Sequence, residues 1–139
     1  MSGGRATAFV ALGSNLGPRA TIFERAISLI DGEPRVWVVA RSDWLETAPL
    51  GPRQPSYLNG VVRIETTLAP EVLLALLHAV ESLLGRRRSK LRWGPRVIDL
   101  DLIAYGRRSI MRPGLVLPHP GRGRSFVRIP LQQVGGDSG

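Results

Sequence analysis

The order of hydrophobic patterns along the chain leaves few folds open. Between Pro70 and Gly85, apolar residues recur every three or four positions and form one stripe, which predicts a helix that begins at Pro70 and ends at Gly85. A second apolar stripe predicts a helix after Pro18. Short runs of β-branched and other apolar residues predict strands around these helices. The predicted strands are Ala6–Leu12, Val36–Leu45, Tyr57–Thr66 and Val97–Ile103.

The resulting order is β-α-β-β-α-β, followed by a turn-rich part from Gly106. An antiparallel sheet with both helices on one face accommodates this order, so we expect an α+β fold of ferredoxin-like type with a short C-terminal extension. In the extension, 115–120 and 126–131 are expected to be short extended pieces. The three prolines and the glycine between Glu46 and Ser56 predict a loop. With 139 residues and no linker pattern, residues 1–139 are expected to form a single domain.

Two aspartates interrupt the last predicted strand. Asp99 and Asp101 stand among Ile98, Leu100 and Leu102, although aspartate is a poor strand residue and is costly to bury without a partner. Because side chains alternate along a strand, both carboxylates point to one face, with Cα atoms about 6.6 Å apart. Such carboxylates repel each other unless a cation neutralises them, and Mg²⁺ favours hard oxygen ligands. A solvated sheet edge with each aspartate paired to an arginine is the alternative.

Arginine is concentrated in two stretches that contain no acidic residue. The net charge is +8, and the stretches run from Ser82 to Ile98 and from Leu102 to Gly136. Such a basic excess favours a polyanionic partner, either nucleic acid or the phosphates of a nucleotide. A solvated, arginine-rich surface explains the same composition.

Several classes of protein are excluded by what the sequence lacks. It contains no cysteine, so neither disulfides nor thiolate metal sites can form. No apolar run approaches the ~20 residues that span a bilayer, and no signal-peptide pattern is present. The P-loop motif and the kinase Gly-rich loop are also absent. We therefore expect a cytoplasmic protein with no membrane partner.

The first arginine stretch immediately precedes the two aspartates, so one short segment supplies both metal ligands and cations. Arginine binds phosphate oxygens in a bidentate manner. Metal ions together with arginine around a transferring phosphoryl group are the recurrent solution for phosphoryl transfer. The combination favours an enzyme that acts on the phosphates of a nucleotide.

Four segments resemble, in the same order, the motifs of the 6-hydroxymethyl-7,8-dihydropterin pyrophosphokinase family of folate biosynthesis. RWGPRVIDLDLI is similar to the family signature, ALGSNLG to its first strand and turn, ETAPLGPRQPSYLN to its pterin loop, and LPHPGRGRSF to a distal phosphate-binding segment. These segments lie at 92–103, 11–17, 46–59 and 117–126. The resemblance therefore extends along nearly the whole chain.

The resemblance implies a reaction and its cofactors. In that family ATP is the co-substrate and donates its β and γ phosphates together to the pterin hydroxymethyl oxygen, giving AMP. By resemblance, Asp99 and Asp101 hold two Mg²⁺ ions that bridge the triphosphate. The catalytic arginines implied are Arg86, Arg88 and Arg96. The ATP contacts implied are Arg88, Arg96, His119 and Arg124.

The resemblance also implies a pterin site. Pterin is a flat aromatic ring system with a donor–acceptor edge, so its site needs stacking faces and complementary hydrogen bonds. Tyr57 and Phe126 match the stacking pair, and Asn59 matches the side chain that reads the pterin edge. The other substrate contacts implied are Asn15, Trp93, and Thr47 and Leu50 through their backbone groups.

Each of these residues also fits a structural role. Tyr57 and Phe126 fit the pattern of core aromatics, and His119, between two prolines, fits a turn. Asn59 fits the start of a strand. Glu81 either orients the arginine stretch or is a surface carboxylate.

A nucleic-acid-binding module is the competing class of function. RNA-binding domains share the ferredoxin-like sheet with a basic face, but they stack bases on aromatic residues of the central strands. This chain has no such aromatic run, since its only tyrosines are Tyr57 and Tyr105, and two carboxylates would face the phosphates. We therefore expect a monomeric enzyme with small-molecule substrates, ATP and hydroxymethyldihydropterin, and no nucleic-acid partner.

Overall fold

The computed structural model describes residues 4–48, 55–85 and 97–136. Within these ranges the chain forms seven strands and three helices. In chain order they are β1 (Ala6–Ser14), α1 (Arg19–Asp31), β2 (Val36–Arg41), β3 (Leu45–Thr47), β4 (Tyr57–Thr66), α2 (Pro70–Leu83), β5 (Asp99–Tyr105), β6 (Ile110–Arg112), β7 (Leu115–Leu117) and α3 (Ser125–Gln133). None of the three helices is long and apolar enough to cross a membrane in this described part of the chain.

The main sheet has the strand order β2-β4-β1-β5, and β3 pairs with the first residues of β4. All of these pairings are antiparallel. Two helical crossovers, through α1 and α2, place β1 and β4 in the centre and β2 and β5 at the edges, which is the order of a ferredoxin-like fold. The predicted α+β class and the predicted β-α-β-β-α-β order are therefore confirmed. The extension adds the hairpin β6–β7 and the helix α3.

The predicted strand Val36–Leu45 is divided into β2 and β3. The division falls at Ser42, whose hydroxyl accepts a backbone N–H from β4 at 2.9 Å. The chain then turns so that Trp44 packs edge-on against Phe23, with ring centroids 5.0 Å apart. Gly60 permits this packing, because a Cβ atom there would lie 2.4 Å from the Trp44 ring.

Helices α1 and α2 cover one face of the sheet, which we call the helical face. Their apolar stripes meet the inward side chains of the sheet in the larger of the two buried clusters. Phe23 and Ile30 of α1 and Leu73 and Leu77 of α2 are fully buried there. Burying one such side chain stabilises the fold by about 1.5–3 kcal/mol relative to leaving it exposed. This face therefore contains most of the apolar burial.

The opposite face of the sheet, which we call the α3 face, carries a smaller cluster. Its buried members are Ala11, Val61, Ile103, Val127, Leu131 and Val134. The extended piece predicted at 126–131 is wrong, because this segment lies in α3. Val127 and Leu131 are one helical turn apart, and their burial against the sheet offsets the hydrogen bond that Pro130 cannot donate. The piece predicted at 115–120 is partly confirmed, since Leu115–Leu117 forms β7.

Candidate active site

The pairing register brings the candidate site residues onto the α3 face. Gly13 in β1 is paired with Asn59 of β4 on one side and with Asp99 of β5 on the other. Two residues earlier, Ala11 is paired with Asp101 in the same way, and Ala11 belongs to the cluster under α3. Paired residues of neighbouring strands share a face, so Asn59 and the two aspartates all point to the α3 face. At two strand spacings, the Cα atoms of Asn59 and Asp99 lie about 10 Å apart.

The two aspartates are on the accessible part of this face. Asp99 is half-buried and Asp101 is exposed, while Leu100 and Leu102 between and after them are buried on the helical face. Across residues 4–48, 55–85 and 97–136, no group of three or more acidic, histidine or cysteine side chains could hold a metal ion. Two carboxylates on one face nevertheless suit Mg²⁺, which takes one or two protein carboxylates and completes its shell with water and phosphate oxygens.

A buried glutamate fixes the backbone between the two aspartates. Glu81, in the last turn of α2, is only 6% exposed. Its Oε2 atom accepts the backbone N–H of Leu100 at 2.7 Å. The surface-carboxylate interpretation of Glu81 is therefore wrong, and the residue ties the aspartate strand to the end of α2.

The amide of Asn59 is held in a fixed orientation by β3. Its Nδ2 atom donates to Thr47 Oγ1 at 2.7 Å and to the carbonyl of Leu45 at 3.4 Å. Thr47, expected to lie in a loop and to offer backbone groups, belongs to β3 and contributes its side chain. Because both bonds use the NH₂ group, the amide oxygen is directed away from β3 towards β1.

Gly13 leaves space between the amide and the carboxylate. A Cβ atom at Gly13 would lie 3.7 Å from Asn59 Oδ1 and 3.9 Å from Tyr57 Cδ1. These are ordinary contact distances, so the position tolerates a methyl group in the substrate-free protein and glycine is not required for packing. Because glycine has no side chain, the sheet surface between Asn59 and Asp99 stays open, and we call this surface at Gly13 the floor of the site.

The two aromatic side chains predicted to stack on a substrate are half-buried on the α3 side of the sheet. Tyr57 is the first residue of β4 and is paired with Thr47. Phe126 lies in the first turn of α3 and packs against the smaller cluster beside Phe9 and Ala40. Phe126 therefore contributes to the core and, through its exposed part, to the border of the site.

His119 is docked onto the aspartate strand. Its backbone N–H donates to the carbonyl of Ile103 at 2.8 Å, and Ile103 is the extra residue where the β1–β5 register shifts. Its Nδ1 atom accepts the N–H of Gly121 at 2.9 Å. A neutral imidazole then carries its proton on Nε2, which is left to donate to an anion. Arg124 precedes α3 and closes the turn, because its backbone N–H donates to the carbonyl of Gly121 at 3.1 Å.

Asn15 connects β1 to the segment before β4. It is 1% exposed, and its Nδ2 atom donates to the carbonyl of Pro55 at 3.2 Å. Five of the predicted site residues lie outside the described residues: Leu50, Arg86, Arg88, Trp93 and Arg96.

Sequence reasoning missed a group of polar residues on the opposite side of β3. Arg19, Glu46 and Ser56 contact one another there. In the sequence they are isolated polar residues with no shared spacing, so no local pattern indicates that they meet. Gly13 was part of a recognised motif, but only the register places it between Asn59 and Asp99.

The fold and the site define a class of protein. Paired carboxylates at one edge of a ferredoxin-like sheet, an oriented amide two strands away and a docked histidine suit an enzyme that transfers phosphoryl groups, because the carboxylates can hold metal ions and the histidine can donate to a phosphate.

The comparison with known proteins identifies the family. Residues 9–136 match the model of 7,8-dihydro-6-hydroxymethylpterin-pyrophosphokinase, and the chain belongs to this family. It is similar to the 2-amino-4-hydroxy-6-hydroxymethyldihydropteridine pyrophosphokinase of Methylorubrum extorquens, at 42% identity over 132 residues, which are 94% of this chain and 83% of the relative. The enzyme of the same name from Bacillus subtilis is 41% identical over 129 residues, 91% of this chain and 77% of the relative. That from Haemophilus influenzae is 39% identical over 133 residues, 94% and 82% of the two chains.

Proposed function

We propose that this chain transfers the β and γ phosphates of ATP as one pyrophosphoryl group to 6-hydroxymethyl-7,8-dihydropterin, with two Mg²⁺ ions held by Asp99 and Asp101. Pyrophosphoryl transfer to hydroxymethyldihydropterin in folate biosynthesis follows from membership of the family. The donor, the metal pair and the residues are our proposal. We also propose that residues 1–139 act as one domain and as a monomer on small molecules, without a nucleic-acid partner.

The observation that carries the proposal is the row Asn59–Gly13–Asp99 across the α3 face. An amide at one end can read the donor–acceptor edge of a pterin. The floor at Gly13 can accept the flat ring, and the carboxylate end then faces the hydroxymethyl group. A separation of about 10 Å between the Cα atoms of Asn59 and Asp99 leaves room for one bicyclic substrate and the phosphate that it attacks.

The reaction is a displacement at the β phosphorus. The hydroxymethyl oxygen forms a bond to that phosphorus, the bond from it to the α-phosphate oxygen breaks, AMP leaves, and the hydroxyl proton passes to water. Bound Mg²⁺ would neutralise the charge of the triphosphate. Asp99 and Asp101 would hold the metal, while Asn59 and Tyr57 would position the acceptor so that its oxygen is aligned with the phosphate chain.

His119 and the arginines would bind the triphosphate. His119 can donate from Nε2, because its Nδ1 atom is already occupied. Arg124 follows in the same turn, immediately before α3, and we propose that it binds the triphosphate and that Arg86, Arg88 and Arg96 complete the phosphate contacts. Contacts that become stronger as the β phosphorus is attacked would raise kcat, whereas contacts made equally in the ground state would lower KM.

The experiment is AMP release from ATP by the purified protein, measured with and without hydroxymethyldihydropterin and with Mg²⁺ or EDTA. We expect AMP and the pterin diphosphate in equal amounts, and only when pterin and Mg²⁺ are both present. ADP as the nucleotide product, or AMP release that is independent of the pterin, would contradict the proposal.

A further inference from the structure

Three polar side chains form a closed cluster on the helical side of the β3–β4 pair. Arg19 is the first residue of α1, Glu46 is the middle residue of β3, and Ser56 immediately precedes β4. Arg19 Nη2 donates to Glu46 Oε2 at 3.0 Å, Arg19 Nη1 donates to the Ser56 carbonyl at 2.9 Å, and Ser56 Oγ donates to Glu46 Oε2 at 2.7 Å. Each residue therefore contacts both of the others, and we call this cluster the clasp.

The position of Arg19 conflicts with the local preference of its helix. A cation at a helix N-terminus faces the positive end of the helix dipole and is unfavourable there. The first turn of α1 contains no acidic residue, and no side chain caps the helix. An unfavourable local placement such as this is tolerated where other contacts offset its cost. The contacts of Arg19 to Glu46 and Ser56 provide that compensation.

Glu46 is ionised in the clasp. The hydroxyl of Ser56 and, after it, the guanidinium of Arg19 lower the pKa of the Glu46 carboxyl. The carboxylate can thus accept both bonds near neutral pH.

The clasp shares its backbone with the side chains that face the substrate. Glu46 is adjacent to Thr47, and Ser56 is adjacent to Tyr57. Because side chains alternate along a strand, Glu46 lies on the helical side while Thr47 lies on the α3 side, where its hydroxyl accepts a bond from Asn59. A displacement of the clasp therefore moves the acceptor that orients the Asn59 amide.

Strand β3 is held by few backbone hydrogen bonds, in addition to the packing of Trp44 just before it. It is three residues long and pairs only with β4 among the described strands. A strand of this length makes few ladder hydrogen bonds, so side-chain contacts have a large share in setting its position. The clasp ties this strand to α1, which is anchored in the core by Phe23 and Ile30.

We propose that the clasp of Arg19, Glu46 and Ser56 is a positioning device that sets β3 against β4 and so determines the affinity for the pterin substrate. This inference rests on the proposed function, because it assigns Thr47 and Asn59 to pterin recognition. The clasp contacts neither the aspartates nor the His119 turn, so it acts on pterin binding and not on nucleotide binding or the chemical step.

The chain contains a matched control. Glu24 and Arg41 form an exposed ion pair that also joins α1 to a strand of the sheet, but this strand is β2, which carries no candidate substrate residue. The comparison is between Arg19→Ala and Glu46→Gln on one side and Glu24→Ala on the other. The measurements are the equilibrium Kd for hydroxymethyldihydropterin in the presence of a non-hydrolysable ATP analogue, the KM for ATP, kcat and Tm.

We expect Arg19→Ala to raise the pterin Kd about fivefold, because the Glu46 side chain is 57% exposed and solvent screens its pair with Arg19. The KM for ATP and kcat should stay within about twofold of the wild-type values, and Glu24→Ala should change none of them. The double variant Arg19→Ala/Glu46→Gln should be no worse than Arg19→Ala alone, because the residues act as one unit. An unchanged pterin Kd in the clasp variants, or an equal rise in Glu24→Ala, would overturn the proposal.

A second readout needs no substrate. The side-chain NH₂ resonances of Asn59 report its bond to Thr47, and NMR spectra of the free protein should show them shifted in Arg19→Ala but not in Glu24→Ala. If wild-type protein does not bind pterin, the proposed function fails, while the Asn59 resonances still decide whether the clasp positions the amide. Unshifted Asn59 resonances in Arg19→Ala would overturn the positioning role.

Discussion

The two faces of the sheet differ in what covers them. Two helices with continuous apolar stripes cover the helical face. In the described part of the chain, α3 is the one helix on the other face, where it covers a cluster of six buried residues. The end of the α3 face that carries Asn59, Gly13 and Asp99 holds polar groups and a glycine where the helical face holds leucine and phenylalanine. The helical face thus stabilises the fold, and one end of the α3 face exposes the polar candidate site residues.

This division explains how aspartates are tolerated in β5, an edge strand whose other side chains are buried. In β5, Leu100 and Leu102 are buried on the helical face while Asp99 and Asp101 point away from it. The strand obtains its stability from one set of side chains and its candidate ligands from the other. Substitutions on the two faces should therefore separate stability from activity.

The largest effect is expected on the helical face. Phe23→Ala removes a fully buried ring that packs against Trp44, and such a change costs about 3–5 kcal/mol of unfolding free energy. Chemical denaturation measures this loss. The kcat per folded molecule, measured at low temperature, should remain close to wild type, and a selective loss of kcat with unchanged stability would contradict the division between the faces.

The second effect is expected at the carboxylates of the α3 face. Asp101→Ala and Asp99→Ala should lower kcat at least a hundredfold, because losing electrostatic stabilisation of the reacting phosphate costs about 3 kcal/mol. The exposed Asp43, between β2 and β3, provides the control Asp43→Ala. Asp101 is exposed, so its substitution should leave the denaturation midpoint unchanged. Near-normal Mg²⁺-dependent turnover in either variant would exclude the metal assignment.

The third effect concerns nucleotide binding. His119→Ala removes a donor in a turn that is already ordered by the Gly121 N–H, so it should weaken binding of a non-hydrolysable ATP analogue by about 2 kcal/mol, roughly thirtyfold. The single-turnover rate at saturating ATP should fall less. The other histidine, His78, is exposed on α2, and His78→Ala is the matched control. An unchanged ATP affinity in His119→Ala would remove His119 from the phosphate site.

The smallest effect tests the floor between Asn59 and Asp99. Gly13→Ala adds one methyl group at ordinary contact distances, so the fold should tolerate it. We expect a roughly tenfold rise in the KM for pterin, about 1.4 kcal/mol, because the methyl group occupies the substrate's place. Gly4→Ala, with no atom within 4 Å of the added Cβ, is the control. A pterin KM equal to that of wild type would show that the substrate does not lie over Gly13.

Much of the fold was predictable because its signals are local. The alternation in Tyr57–Thr66 and the stripe after Pro70 matched the observed elements, and the order of elements allowed few other topologies. Residues 126–131 were expected to be extended, but they lie in α3, because burial of Val127 and Leu131 against the sheet outweighs the local cost of Pro130 in a helix. Local patterns cannot reveal such a tertiary contribution.

The candidate site was predictable to a smaller extent. Alternation along one strand places Asp99 and Asp101 on the same face without any structure. The position of Gly13 between Asn59 and Asp99 depends on the register of three strands, and the clasp depends on residues far apart in the chain. Exposed charges such as Glu46 are usually solvated, so nothing in the sequence indicates that Glu46 contacts Arg19 and Ser56.

The central claim is that metal and substrate bind on the α3 face over Gly13. Paramagnetic line broadening tests it directly, with Mn²⁺ replacing Mg²⁺ in the presence of a non-hydrolysable ATP analogue, because the broadening falls steeply with distance from the ion. The account predicts broadened NMR signals for Gly13, Asp101 and the side-chain amide of Asn59, sharp signals for α1, and loss of the effect in Asp101→Asn. Broadening centred on the helical face, or an unchanged pattern in Asp101→Asn, would contradict it.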